Sequence, residues 1–332
     1  MPTDLSPSAS GASMARPGDE HFVTLFDAFF LPQGLALHRS LLRHCPHAVL
    51  WVLAMDEAVE RHLKALALPR LRVVALADVE TPALLAVKVQ RTRGEYCWTM
   101  TPWVFRTVFD QDPSARRATY LDADVAILSD PVVPLEEMAA RGRSVLITPH
   151  AYAPQYADFA GHLGIYCVQF LTVVNNPESL AVVDRWRDQC LEWCYARKEP
   201  GRFGDQMYLD TWPRDFPCVH VVDEPWRFLG PWNHRHAVLG LGRRSGFVTY
   251  HFHGLRCQAG RRIQVNLGYR LGPGFQAIAR TYLQDLGVAR RLMAGVSAPW
   301  PVQAPLPGRW QSIKDVLKQW LGMLHLAQVP EV

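Results

Sequence analysis

"ATYLDADVAILSDP" spans residues 118–131, and its reading decides the fold. The run from Tyr120 to Leu128 reads as a buried strand, yet Asp122 and Asp124 sit inside it. An unpaired buried carboxylate is costly, and a second one beside it adds repulsion. Residues i and i+2 of a strand share a face, so both carboxylates converge. In an open parallel α/β sheet, ligands bind beyond the carboxyl ends of the strands, and the pair falls at that end. A divalent cation would neutralise both acids and takes hard oxygen ligands of this kind. The plainer alternative is two strand-end acids in water or in salt bridges.

Working outward, strand and helix alternate. "HFVTLFDAFF" (21–30), "AVLWVLAMD" (48–56) and "LRVVALADV" (71–79) read as strands, with helices over "LPQGLALHRSLLRH" and "EAVERHLKALAL" between them. "TPWVFRTVFDQ" starts a helix with Thr101 as its cap and Pro102 at the first helical position. The opening stretch is then strand four and "SVLITPH" (144–150) strand five. The pattern predicts an α/β fold whose mostly parallel sheet is covered by helices on both faces. The second half is less regular: a strand at "VQFLTVVNN", a long helix entered at Pro177, a turn and short helix at "FGDQMYLDTWP", and a strand over 246–255.

The chain has 332 residues, with 35 Lys+Arg against 31 Asp+Glu, a balance that gives no general case for nucleic acid. Charge is uneven: Arg256 to Lys318 holds ten basic and two acidic residues. Residues 1–20 read as a disordered tail with no apolar run of signal length. No stretch approaches a membrane span of roughly 20 apolar residues. Seven cysteines without paired spacing fit a reducing cytoplasm. Cys190 and Cys194 lie one helical turn apart and read as buried small side chains on a helix. The domain reading is a catalytic domain over 21–270, then a basic helical extension over 271–332 with a Pro-rich linker. In "RWQSIKDVLKQWLGMLHL", Trp310, Ile313, Leu317, Trp320 and Leu324 fall at helical spacing beside Lys314 and Lys318. Such a helix suits a peripheral contact with the inner membrane face, or packs back on the domain.

"YLDADVAILSDP" resembles the Asp-x-Asp strand of nucleotide-sugar glycosyltransferases of the GT-A, Rossmann-like fold. "YHFHG" (250–254) resembles the late His-containing motif of the glycogenin-type and bacterial galactosyltransferase family, family eight. "FGDQMYLD" (203–210) and "LFDAFFLPQGLALHRSL" resemble two further motifs, in the family's order and over about residues 22–256. "EYCWT", "YLDAD", "WCYAR" and "FGDQ" bring the chain closest to a bacterial branch that we expect to serve surface polysaccharide or lipopolysaccharide assembly.

The resemblance implies Mn²⁺, or Mg²⁺, held by Asp122, Asp124 and His251. It implies a nucleotide-sugar donor, expected to be a UDP-sugar, at Leu25, Phe26, Asp27, Asp122, Ala123 and Gly254. The family's usual lysine is replaced by Cys257, so the neighbouring Arg256 is the cation expected at the diphosphate. Of Arg91 and Arg93, Arg91 is the nucleotide candidate. Asp205 and Gln206 would lie beside the donor sugar, Gln206 orienting it or lending its carbonyl to developing positive charge, Asp205 holding hydroxyls. Retention of configuration is implied, although Asp205 as a general base would invert. Trp232 and Asn233 in "GPWNHRH" pair an aromatic with an amide, which suits a saccharide or lipid-linked glycan acceptor, with His253 beside them.

Two rivals stand beside this reading. A haloacid-dehalogenase-type phosphatase also places Asp-x-Asp after a strand, but it has Thr or Val where this chain has Ala126, and it needs a later acidic pair, whereas this chain has no Asp-Asp. A non-catalytic nucleotide-sugar binder on the same fold would bind without turnover.

Overall fold

Residues 18–239, 246–266, 269–271, 274–303 and 324–330 are described in a computed structural model of the chain. The strands are β1 (Glu20–Phe26), β2 (Ala48–Ala54), β3 (Leu71–Ala75), β4 (Arg117–Leu121), β5 (Val125–Ile127) and β6 (Val145–Pro149). They continue with β7 (Tyr166–Val174), β8 (Val219–Val221), β9 (Phe228–Leu229), β10 (Thr249–His251), β11 (Leu255–Cys257), β12 (Arg262–Asn266) and β13 (Leu324–Gln328). Seven of them form one sheet in the order β3-β2-β1-β4-β7-β6-β8. Its pairs are parallel except where β7 runs antiparallel between β4 and β6. The fold is therefore α/β with a mostly parallel sheet flanked by helices, as the alternating pattern predicts.

Both faces of the sheet are covered, which explains the near-continuous apolar strands. Alternate residues of β1 enter opposite cores. Val23 and Leu25 join Trp51 and Leu53 on one side, under the helices Arg93–Met100, Trp103–Gln111 and Pro177–Glu192. Phe22 and Phe26 join Leu50 and Val52 on the other, under the helix Leu31–His44. The helix Phe275–Gly295 lies on that same side. Its buried Asp285 accepts from Arg39 at 3.1 Å and Arg43 at 2.5 Å, and its Ala289 and Met293 enter the same core.

Several expectations are corrected. The fourth strand does not run through the two aspartates. It stops at Leu121, Asp122–Asp124 form a turn, and β5 leaves in a second sheet, ordered β5-β10-β9. The bend spares both carboxylates a place inside a ladder. Thr101 is not the N-cap of the helix Trp103–Gln111: it closes the preceding helix, Arg93–Met100, and its hydroxyl donates to the carbonyl of Cys97. The strand expected over 246–255 is two strands, β10 and β11, broken by a turn in which Gly254 takes φ +81°, a left-handed backbone that favours glycine. The tail, to residue 17, and most of the amphipathic C-terminal segment, 304–323, lie outside the described residues. Leu324–Leu326, read as helical, belong to β13, which pairs with β12.

Candidate functional site

The site forms where β4 ends and the second sheet begins. The backbone N–H of Asp122 donates to Gln169 of β7 at 3.3 Å, and that of Val125 to Asp122 at 3.1 Å, fixing the turn. β10 pairs antiparallel with β5 in a register that puts His251 opposite Val125, and the N–H of Phe252 donates to Asp124 at 2.8 Å. This pairing carries His251 across more than a hundred residues to the aspartates.

His251 lies between the two acids. Its Nε2 stands 3.0 Å from Asp124 Oδ1 and its Nδ1 3.8 Å from Asp122 Oδ2. The Asp124 contact has the length of a charge-assisted hydrogen bond from the imidazole N–H, so a cation bound at that nitrogen would replace its proton. Nδ1 is buried and meets no nitrogen or oxygen at hydrogen-bond distance. Donor atoms of Asp122, His251 and Cys167 all lie within 4.8 Å of one another. Asp124 is outside that group, so a shell that includes both acids requires a carboxylate to move. Tyr120 Oη donates to Asp122 Oδ1 at 2.9 Å, which steers the other oxygen toward the imidazole.

Burial alone would lower the pKa of His251, but Asp124, then a hydrogen bond with the Cys167 thiol and then Asp122 overcome it, and the pKa lies well above its ordinary value. Burial alone would raise Asp124, and His251 overcomes it to hold that carboxyl at about 2. Asp122 is raised, by burial first. Asp205 is buried and pushed up to about 7, by burial and then by the negative charge of Asp122, so the structure brings it to the same site. Paired acids driven apart in this way are a frequent mark of functional sites. Gln206 donates its amide nitrogen to the carbonyl of Leu163, which leaves its Oε1 as the atom able to face a ligand.

The remaining expected residues divide. The Trp232 ring meets His251 edge-on at 5.3 Å and His253 at 6.1 Å. His253 is exposed beside His251, ring to ring at 5.6 Å, although β10 has ended. Arg256 lies near Phe30, its guanidinium carbon 5.9 Å from the ring, and its charge acts on Asp124. Asp27 accepts from Phe29 N at 2.9 Å and from Arg93 at 3.1 Å. Leu25 and Phe26 put their side chains into the cores, and Ala123 is buried between the two acids.

Two residues are spent elsewhere. Arg91 is buried and donates to Thr99 and to the carbonyl of Leu191; the exposed guanidinium at Asp27 belongs to Arg93. Asn233 is fully buried, accepting from Gly230 N and donating to the carbonyls of His150 and Phe228, so it holds the loop and has nothing left for a sugar. The sequence reading missed Tyr120, Cys167 and His150. Tyr120 was findable, two residues before Asp122 on one strand. Cys167 and His150 carry no local signal, because only the sheet order brings β6 and β7 to this corner.

No family model matches the chain. YfnF of Bacillus subtilis (strain 168), described as an uncharacterized protein, is 30% identical over 246 residues, covering 71% of this chain and 81% of YfnF. YfnD of the same organism is 28% identical over 259 residues, covering 76% and 83%. The chain belongs to the family of YfnF. Among solved structures it is similar to mouse xyloside xylosyltransferase 1 (16% identity, 70% of this chain and 97% of that one, TM-score 0.44). It is also similar to the galactosyltransferase LgtC in complex with donor and acceptor sugar analogues (13%, 88% and 99%, TM-score 0.46). No helix among the described residues is long and apolar enough to cross a membrane.

Proposed function

We propose that the chain is a glycosyltransferase that moves a sugar, with retention, from a nucleotide diphosphate donor, read as a UDP-sugar, to a saccharide or lipid-linked glycan. The observation that carries this reading is the meeting of Asp122, Asp124 and His251 at the carboxyl edge of the sheet, with Asp205 close by. The buried Nδ1 of His251, which meets no nitrogen or oxygen at hydrogen-bond distance, and the oxygen-rich surroundings fit a divalent cation. Asp122, Asp124 and His251 would hold it, and when bound it supplies positive charge against the departing diphosphate. The protein's own groups do the rest. Tyr120 fixes the Asp122 carboxylate. Arg256 adds a cation on the same side for the diphosphate. Gln206 turns its carbonyl to the sugar, where positive charge grows at the anomeric carbon, and Asp205 holds donor hydroxyls. Asp27 and Arg93 face the nucleotide, and Trp232 with His253 borders the acceptor. The basic stretch from Arg256 suits an anionic acceptor presented at a membrane surface.

Thermal stability against UDP, GDP and CDP, with and without Mn²⁺, tests the reading, followed by donor hydrolysis with the best nucleotide. The expected result is a metal-dependent shift for UDP, abolished in Asp124→Ala while the fold survives, and measurable turnover. Binding without turnover would leave a nucleotide-sugar binder; no metal-dependent shift with any nucleotide would overturn the assignment.

A further inference from the structure

The two nitrogen edges of His251 have different neighbours. The Nε2 edge faces a carboxylate alone, Asp124. The Nδ1 edge faces Asp122 Oδ2, and the thiol of Cys167 lies within 4.8 Å of a ligand atom of each of these two residues. That nitrogen belongs to a side chain only 8% exposed and meets no nitrogen or oxygen at hydrogen-bond distance, while the Cys167 thiol interacts with the same imidazole. Cys167 is equally enclosed, at 3% exposure, and forms no disulfide. Its backbone is held in the sheet, opposite Thr148, whose hydroxyl donates to its carbonyl at 3.2 Å. One sulfur, one nitrogen and one oxygen therefore surround a point inside the protein.

Resting on the metal-site reading above, we propose that this edge binds a borderline-soft divalent cation of the Zn²⁺ or Co²⁺ class, with the Cys167 thiolate, His251 Nδ1 and Asp122 Oδ2 as protein ligands. The donor set carries the argument. Thiolate and imidazole favour such cations, whereas Mg²⁺ and Mn²⁺ prefer oxygen. Ligands of a tetrahedral zinc ion stand about 3.3–3.8 Å apart, so a group gathered within 4.8 Å closes by about 1 Å or less, with the partly exposed Asp122 side chain and a rotation of the Cys167 side chain supplying the movement. As the sulfur–metal bond forms, the S–H bond breaks and its proton leaves to solvent. Because His251 and Asp122 belong to both arrangements, a soft cation occupies the site at the expense of a hard one.

Cobalt titration of the full-length protein without nucleotide, followed by absorbance, tests this. The expected result is a near-ultraviolet sulfur-to-cobalt charge-transfer band. It should vanish in Cys167→Ala, persist in Cys190→Ala, and bleach with equimolar Zn²⁺ but not with roughly a hundredfold excess of Mg²⁺. Asp122→Asn is the second variant, since it leaves the thiol in place and should weaken cobalt binding about tenfold or more. A band that survives in Cys167→Ala, or no band in the wild-type protein, overturns the inference. The Mn²⁺–UDP thermal shift is read separately: its presence without a cobalt band fails this inference alone, and its absence with a cobalt band fails the enzyme reading alone.

Discussion

Along β1 and β2 every residue is buried, and eleven of the fourteen side chains are apolar, the exceptions being Glu20, His21 and Thr24. At the corner where β4 turns into β5, three ionisable side chains meet instead, Asp122, Asp124 and His251, and buried Asp205 lies near enough to feel the charge of Asp122. The Nδ1 of His251 and the Nε1 of the adjoining Trp232 are both buried there without nitrogen or oxygen partners. The first region invests in packing and the second accepts unsatisfied groups, which are what a ligand can reward. Substitutions in the two regions should therefore fail in different assays.

The largest stability effect is expected in the packed region. Phe105 is fully buried under the first strands, and Phe105→Ala should cost about 3–5 kcal/mol, read as a lower urea midpoint. At the corner, His251→Ala leaves Asp124 without its buried counter-charge and so also lowers the urea midpoint, but the folded protein should lose donor hydrolysis on the order of 10³-fold, which folded Phe105→Ala should largely keep. Equal losses of hydrolysis in the two folded variants would erase the distinction.

A pH profile sharpens the comparison next. Burial lowers His150 from 6.5 to about 3. Below about pH 6.5 the unfolded chain takes up a proton that the folded chain refuses, so stability is lost as pH falls from there toward 3. The contribution at pH 5 is about 2 kcal/mol. His150→Phe keeps the stack on Tyr152 and should flatten the profile between pH 7 and 5. An unchanged slope in that variant would show that His150 is not the group responsible.

The smallest expected effect tests the support of the site. A Cβ on Gly230 would meet the Trp232 ring at 2.5 Å, closer than real contacts. Gly230→Ala should displace that ring from His251 and lower kcat/KM roughly tenfold, with a Tm change of only a few degrees. An unaltered kcat/KM would remove Trp232 from the account.

The same division explains what could be read from residues alone. The helix Leu31–His44 and strands β1–β3 follow local periodicity, so their sequence predicts them closely. The Asp-x-Asp and His motifs were legible as chemistry, but the turn separating the acids was not, because β5 has only three residues and gains its strand conformation from β10. The antiparallel β7 was invisible for a related reason: direction within a sheet is a tertiary property, and it alone delivers Cys167 to the site. Arg91 and Arg93 looked interchangeable, and only the packing of Leu191 and Thr99 around Arg91 separates them.

The central claim is that Asp122, Asp124 and His251 gather round a dication that grips a nucleotide's phosphates. Electron paramagnetic resonance of Mn²⁺ in the presence of UDP measures this directly, since the sharp signal of the free ion is lost on binding. The account predicts saturable loss of that signal beyond the loss caused by UDP alone with the wild-type chain, and none beyond it with His251→Ala, both proteins being folded. Equal loss with the two proteins would contradict it.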